Sequence, residues 1–313
     1  MQGAQTSIFA HDVNRKGGSF SLSAQADFTP ASYNLSRNMA AIAGHLQSTW
    51  DAGGAGLGTL FALLGNTADA GGEGAYAASL RQISPNSSLA PGARLAAGGR
   101  AFANAAMSCP QFEGSTAMLT EGECVWAGLT GRTAAQSGSD GLSSFRLNST
   151  TWQAGGQRSL GGGWFLGGSI AYENARLTTT DGLNSGRGQS GFAAATTKYQ
   201  GGRWLFAGAV FGGGGEFNST HTIHLPGFGS IARGSPTLLN AGAMLRATYT
   251  VGREEFYLRP SLSLSLVHAG SSSYAESGAG VLKLNVSSAS STVVGRVTAG
   301  VQVFATERLA FRL

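Results

Sequence analysis

The residues best suited to chemistry in this 313-residue chain are few, and none is arranged for catalysis. Cys109 and Cys124 are its two thiols. An even pair close in sequence, beside Pro110 and several glycines, suits a local disulfide in an oxidising compartment. Closing such a loop would constrain the unfolded chain by roughly 3 kcal/mol in the entropy model. Two free thiols in a reducing cytosol is the alternative. A zinc site is not predicted, because a second cysteine pair and suitably spaced histidines are missing. His221 and His224 are three residues apart in a predicted outer loop, without the i, i+4 spacing or nearby carboxylates of a helical zinc site. Gly186, Gly188 and Gly191 match GxGxxG but lack the strand before and helix after that phosphate binding requires, so they are read as loop. Neither a GxSxG elbow nor an HExxH pair occurs. The sequons at Asn148, Asn218 and Asn285 are read only as polar loop or lumen positions. No enzyme activity, metal or cofactor is expected.

Four charges stand out by their setting. Glu173, Arg246, Arg259 and Arg296 each lie in a segment of alternating polarity, on its polar parity. A strand sends successive side chains to opposite faces, so each charge belongs to a wet face backed by a greasy one. From Phe256, the residues Leu258, Leu262, Leu264 and Leu266 share one parity while Arg259, Ser261, Ser263 and Ser265 share the other. Leu239, Ala241, Ala243, Leu245 and Ala247 likewise oppose Asn240, Gly242, Met244, Arg246 and Thr248. Val293, Val297, Val301 and Val303 oppose Thr292, Arg296, Thr298 and Gln302.

These alternating segments recur from about residue 123 onward. Nine strands are predicted, at 123–133, 142–158, 163–179, 189–201, 203–223, 235–250, 254–275, 282–305 and 308–313. Tight connections at Gly161-Gly162, Gly201-Gly202, Gly252-Arg253 and Thr306-Glu307 alternate with longer ones at 134–141, 180–188, 224–234 and 276–281. Short turns at one end and long loops at the other describe an antiparallel up-and-down transmembrane β-barrel in a bacterial outer membrane. Lipid would cover the apolar face, and the four charges would point into the lumen, cradling a threaded element or standing simply solvated. Trp164 and Tyr172 share a face eight residues apart, about 20 Å of height at ~3.3 Å per residue and a 40° tilt. They are expected in opposite aromatic girdles, with Trp204 and Tyr249 also at girdle positions near the tight turns.

Residues 1–31 hold a short alternating run ending at Pro30 and look like the tail of something β-rich or a linker. Residues 32–122 read as a helical linker and pore region with the disulfide loop, and 123–313 as the barrel. Asn34 or Ser36 is placed to cap a helix ending near Trp50, whose stripe is Met39, Ile42, Ala43, Leu46 and Trp50. Shorter helical patterns follow around Leu57–Leu64 and Tyr76–Leu80, then a small-residue helix over about 91–107. Glycine is abundant at 49 residues, charged residues are 12% and the net charge is +5. That charge is spread along the chain without a basic cluster, which argues against nucleic-acid binding. No run of about 18 apolar residues could form a transmembrane helix. The first residues lack the apolar core of a signal peptide, so the sequence is expected to continue upstream.

Three motifs carry a family resemblance. They are Ala31-Ser32-Tyr33-Asn34-Leu35-Ser36 through His45-Leu46-Gln47-Ser48-Thr49-Trp50-Asp51, then Ala75-Tyr76-Ala77-Ala78-Ser79-Leu80-Arg81-Gln82-Ile83-Ser84-Pro85, and Cys109-Pro110 followed by Gly122-Glu123-Cys124-Val125-Trp126-Ala127-Gly128-Leu129-Thr130-Gly131-Arg132. Together they resemble the translocator unit of bacterial type V autotransporters over about residues 20–313. The resemblance implies a twelve-stranded barrel with a helix through its pore, an upstream passenger exported to the cell surface, and insertion by the barrel-assembly machinery. The last residues, Ala310-Phe311-Arg312-Leu313, fall inside the ninth predicted strand, so about three further strands are expected beyond them. A porin-like channel without passenger and a secreted, soluble, adhesin-like β protein are the alternative readings.

Overall fold

The computed structural model describes residues 8–16, 19–54, 56–84, 90–108, 121–138, 143–253, 256–286, 291–305 and 309–312. The first element is a hairpin of β1 (Phe9–Lys16) and β2 (Ser19–Ala26). Helix α1 (Arg37–Asp51) starts where the Ser36 hydroxyl accepts a hydrogen bond from the Met39 amide, one of the first-turn donors that the helix itself leaves unpaired. Its stripe of Met39, Ala43 and Leu46 is buried. The next element, α2 (Gly58–Gln82), is two helical segments, as the two patterns predict, meeting at a kink at Gly72, where φ is +61° and ψ −154°. Helix α3 (Ala90–Ala106) follows. No helix among the described residues is long and apolar enough to cross a membrane, which leaves crossing by strands open.

From Cys124 onward most of the described chain belongs to one large antiparallel sheet. In chain order its main strands are β3 (Cys124–Gln136), β4 (Phe145–Gly161), β5 (Trp164–Thr179), β6 (Asn184–Gly201), β7 (Trp204–Leu225), β9 (Thr237–Tyr249), β11 (Phe256–Ser271), β14 (Ser291–Ala305) and β15 (Leu309–Arg312). Each main strand pairs with the one before it, from β3 at one edge to β15 at the other. The nine main strands correspond to the nine expected from period-2 patterning. Tight turns close one end, as where Gly162 and Gly202 take φ near +60°, a conformation glycine adopts without steric cost. Among the described residues β3 and β15 are each paired on one side, so the sheet curls without closing.

Two predicted loops have more structure than expected. The stretch 224–234 continues β7 upward and returns as β8 (Phe228–Gly234). Pro226-Gly227 makes that turn, with Gly227 at φ +78°, and Ile223, Leu225 and Ala232 are buried. The connection after β11 is longer than predicted, because the strand expected from 282 begins at Ser291. It contains the short pair β12 (Tyr274–Ala275) and β13 (Asn285–Val286). Strand β10 (Val251–Arg253) extends the tight-turn end beside β11.

Two cores hold the molecule. In the first, Ile8, Phe28, Met39, Phe61, Tyr76 and Leu80 pack with Ile223, Leu225, Ala232 and Ala279. The N-terminal hairpin, α1 and α2 therefore sit on the extended long-connection end of the sheet, and only α3 enters the curl. Phe28 lies within 6.2 Å of Phe9, Trp50 and Phe61, ring centre to ring centre. The Tyr76 hydroxyl donates to the Phe28 carbonyl at 2.7 Å. Burial, with Asp27 and Tyr33 nearby, pushes the Tyr76 phenol above its ordinary range.

The second core lies inside the curl. Leu95, Phe102, Ala103 and Met107 of α3 and its end meet Phe192, Phe211, Phe217, Leu238, Met244 and Val267 of the concave face. The concave face is therefore not uniformly polar, because a helix rather than water covers it. The small residues of α3 allow this approach: a Cβ on Gly99 would collide with the Asn240 amide and come within 2.8 Å of Phe211. Gly99→Leu is expected to lower stability by about 1–3 kcal/mol through overpacking. Gly58→Leu, at an open position, is expected to leave it within ~0.5 kcal/mol. Urea unfolding of both variants in detergent measures the difference.

Candidate functional site

The site is the concave face with α3 threaded along it. The helix packs against β4, β5, β6, β7, β9, β11 and β14. It runs from the long-connection end, where Arg94 meets Ser190 and Phe217, towards the tight turns, where Asn104 meets Arg246. Strand β3 begins at that same end, with Cys124 opposite Gln157.

Polar side chains from the wall grip the helix in tiers. At the top, Arg94 Nη1 donates to Glu173 Oε1 at 2.6 Å, both side chains being more than nine-tenths buried. Arg94 Nη2 donates to Ser190 Oγ at 3.3 Å, and Thr151 Oγ1 donates to the other Glu173 oxygen at 3.3 Å. The guanidinium also lies 5.6 Å from the centre of the Phe217 ring. In the middle tier, wall amides bind helix carbonyls. Asn240 Nδ2 donates to Leu95 O at 3.2 Å, and Gln153 Nε2 to Phe102 O at 3.2 Å. Arg132 Nη1 donates to Ala97 O at 3.3 Å. At the bottom, Arg246 donates to Asn104 Oδ1 and, through Nε, to Ser263 Oγ at 3.1 Å.

A second ion pair fastens the segment leading into β3. Lys198 Nζ donates to Glu121 Oε2 at 2.8 Å, and Gln157 Nε2 donates to that same oxygen at 3.0 Å. The Glu121 amide donates to Gln200 Oε1 at 2.6 Å. Lys198 is 1% exposed. A buried cation is tolerated only with such a partner set, since desolvation of an isolated ammonium costs several kcal/mol.

The charges singled out in the sequence divide accordingly. Glu173 and Arg246 touch α3. Arg259 lies on the concave parity of β11 with Ser261 and Ser263, and Arg296 faces the same way, opposite Ser265 in the register. Two partners were not singled out. Arg94 is a charge set in a run of alanine and glycine, and Lys198 sits on the concave parity of β6; the first signal was legible as a helix needing a carboxylate. Cys109 lies outside the described residues. Cys124 opens β3, and among the described residues no cysteine is free.

The convex face carries the aromatic residues expected in girdles. Trp164 is half exposed and lies 4.9 Å from Tyr199, ring centre to ring centre; Trp204 is 4.7 Å from Tyr249. All four sit near the tight turns. Tyr172 lies eight residues up β5, beside Trp152 across the strand pair at 6.1 Å. Leu166, Ile170, Val210, Leu245, Leu264 and Val297 are exposed between these levels.

The remaining motifs have structural explanations. Gly186, Gly188 and Gly191 lie within β6 rather than in a loop. Side chains at Gly186 and Gly188 would strike the Phe217 ring, so these glycines make room for an aromatic residue. His221 and His224 belong to the upper part of β7, again not a loop, and point to opposite faces because they are three apart in a strand.

Comparison with known proteins fits this geometry. A family model described as "Autotransporter beta-domain" matches residues 125–310. The translocator domain of autotransporter NalP from Neisseria meningitidis superposes with a TM-score of 0.53 at 11% identity, covering 69% of this chain and 70% of that one. The beta domain of the Bordetella autotransporter BrkA gives a TM-score of 0.43 at 17% identity, over 58% of this chain and 70% of that one. No curated protein sequence matches.

The tiers predict how the helix is held. Arg94→Ala strands Glu173 in a buried site, and a loss of about 3–5 kcal/mol is expected. The double variant R94M/E173L, which removes both charges, is expected to recover most of that loss. Denaturant titration of the three proteins in detergent yields the coupling.

Proposed function

The chain belongs to the autotransporter β-domain family, and from that premise we propose how its parts support export of a passenger across the bacterial outer membrane. The carrying observation is a chain path running from the N-terminal unit at the long-connection end, through the curled sheet as α3, to the first strand at the tight-turn end. A chain that has passed outward through a pore leaves this path behind it. The long-connection end with the N-terminal hairpin and helices is the extracellular side, and the tight turns are periplasmic. A passenger attached upstream of residue 8 would then emerge outside the cell.

In this reading the convex face meets outer-membrane lipid, with Trp164, Trp204 and Tyr249 in the periplasmic girdle and Tyr172 in the outer one. Glu173 and Arg246 hold the helix at two heights, while Arg259 and Arg296 keep the lower lumen wet and cationic. Insertion would depend on the cell's barrel-assembly machinery. Cys109 and Cys124 form a disulfide that fixes the turn between helix and first strand. The protein itself has no catalytic role; any activity belongs to the passenger. A porin-like role is disfavoured because α3 and two buried ion pairs fill the lumen.

The test is a fusion of a signal peptide and a reporter epitope ahead of the full chain. The epitope is expected to be removed by protease added to intact cells, and the protein to migrate differently in detergent gels before and after heating. An epitope cleaved only after the outer membrane is opened would refute the reading. Thiol labelling under denaturing, non-reducing conditions is expected to find no reactive cysteine, and two after reduction.

A further inference from the structure

Above the outer aromatic level, the convex face carries a row of arginines with no function assigned so far. Arg176 of β5 stands directly opposite Arg187 of β6 in the register. Arg146 of β4 faces Thr178, which places it diagonally from Arg176. All three are exposed. Opposed residues of an antiparallel pair have Cβ atoms about 5 Å apart and diagonal ones about 7–8 Å, so three guanidinium groups share one patch.

Like charges directly opposite across a strand pair are destabilising. No direct partner bridges them: among the described residues none of the three has a hydrogen bond or ion pair from its side chain. Among the described residues two carboxylates lie in this region. Glu216 faces Gln189, two positions along from the residue opposite Arg187, and is itself unbridged. Asp181 is committed to its own turn, accepting from Ser143 Oγ, from Thr179 Oγ1 at 2.6 Å and from the Leu183 amide at 3.0 Å. Burial raises its pKa, but these hydrogen bonds outweigh that and hold the carboxyl below its ordinary range. Arg233 of β8 lengthens the row, since Ser185, Thr220 and Arg233 align across β6, β7 and β8.

The height of the patch selects its partner. Arg176 is four residues above Tyr172, about 10 Å at ~3.3 Å per residue and a 40° tilt. The patch therefore sits just outside the apolar band, at headgroup level. Arginine forks bind phosphate oxygens in pairs, and clusters of basic residues at this depth attract anionic headgroups. We propose that Arg146, Arg176 and Arg187 form a binding site for the phosphate groups of a phosphorylated lipid in the outer leaflet, whose charge relieves the Arg176–Arg187 repulsion. The proposal rests on the membrane orientation above.

The test uses the full chain folded in an uncharged detergent and titrated with short-chain phosphatidic acid, short-chain phosphatidylcholine and inorganic phosphate. Phosphatidic acid is expected to bind at least about tenfold tighter than either other probe, at about fivefold per arginine. R176Q/R187Q is expected to lose that preference. R158Q, on the same face but near the tight turns, is expected to keep it. Equal affinity of R176Q/R187Q and the parent would overturn the proposal, as would inorganic phosphate binding as tightly as the lipid, or R158Q losing the preference too. Melting without phospholipid separates binding from folding: R187Q is expected to be at least as stable as the parent, and a lowered midpoint would contradict the repulsion. Failure to insert into phosphatidylcholine vesicles would instead count against the orientation alone.

Discussion

Everything else in this structure depends on the match between a narrow helix and a concave sheet. Neither surface is stable by itself: the wall exposes Phe192, Phe211, Phe217 and Met244, and the helix exposes Leu95 and Phe102. Joining them removes that apolar area from water, at about 25 cal/mol per Å². The Arg94–Glu173 pair does not add greatly to this, since desolvation consumes much of a buried pair's attraction. Its effect is on position. A helix with an apolar stripe could slide or turn along the wall, whereas a guanidinium with a single carboxylate within reach fixes height and rotation together.

The outward face follows a different rule. There the strands present leucine, isoleucine and valine without any protein partner, and the aromatic residues gather near the ends of the strands. That distribution is unstable in water and ordinary in lipid. Inside and outside thus answer to separate solvents, and the two-residue period of the strand keeps them apart in one polypeptide.

Much of this was legible in the sequence because the period-2 signal is local. The nine main strands, the tight turns and the cap at Ser36 all follow from neighbours in the chain. Less legible was anything set by distant residues. The β7–β8 extension was read as loop because its stabilising contacts are Phe61, Tyr76 and Leu80, more than a hundred residues away. The glycines of β6 were read as loop because their reason for being glycine, the Phe217 ring, lies across the strand pair. Glu173 was recognised as a confined charge, but its partner Arg94, a lone charge among alanine and glycine, was passed over. Period-2 alternation also marked the inner face as polar, and so missed the apolar residues that the helix covers.

The upper core has a temporal consequence. Its halves come from residues 8–80 and 223–279, and one of its links joins Gln82 to His224 across 142 positions. Synthesis delivers the first half long before the second exists, and non-local contacts form late in folding. The N-terminal hairpin and helices therefore spend the interval without the surface that completes them. An unfinished core is a thin, compliant chain, which is the form a narrow passage admits. The earlier half of this core becomes rigid only when the later half arrives, and the extended hairpin sets that moment.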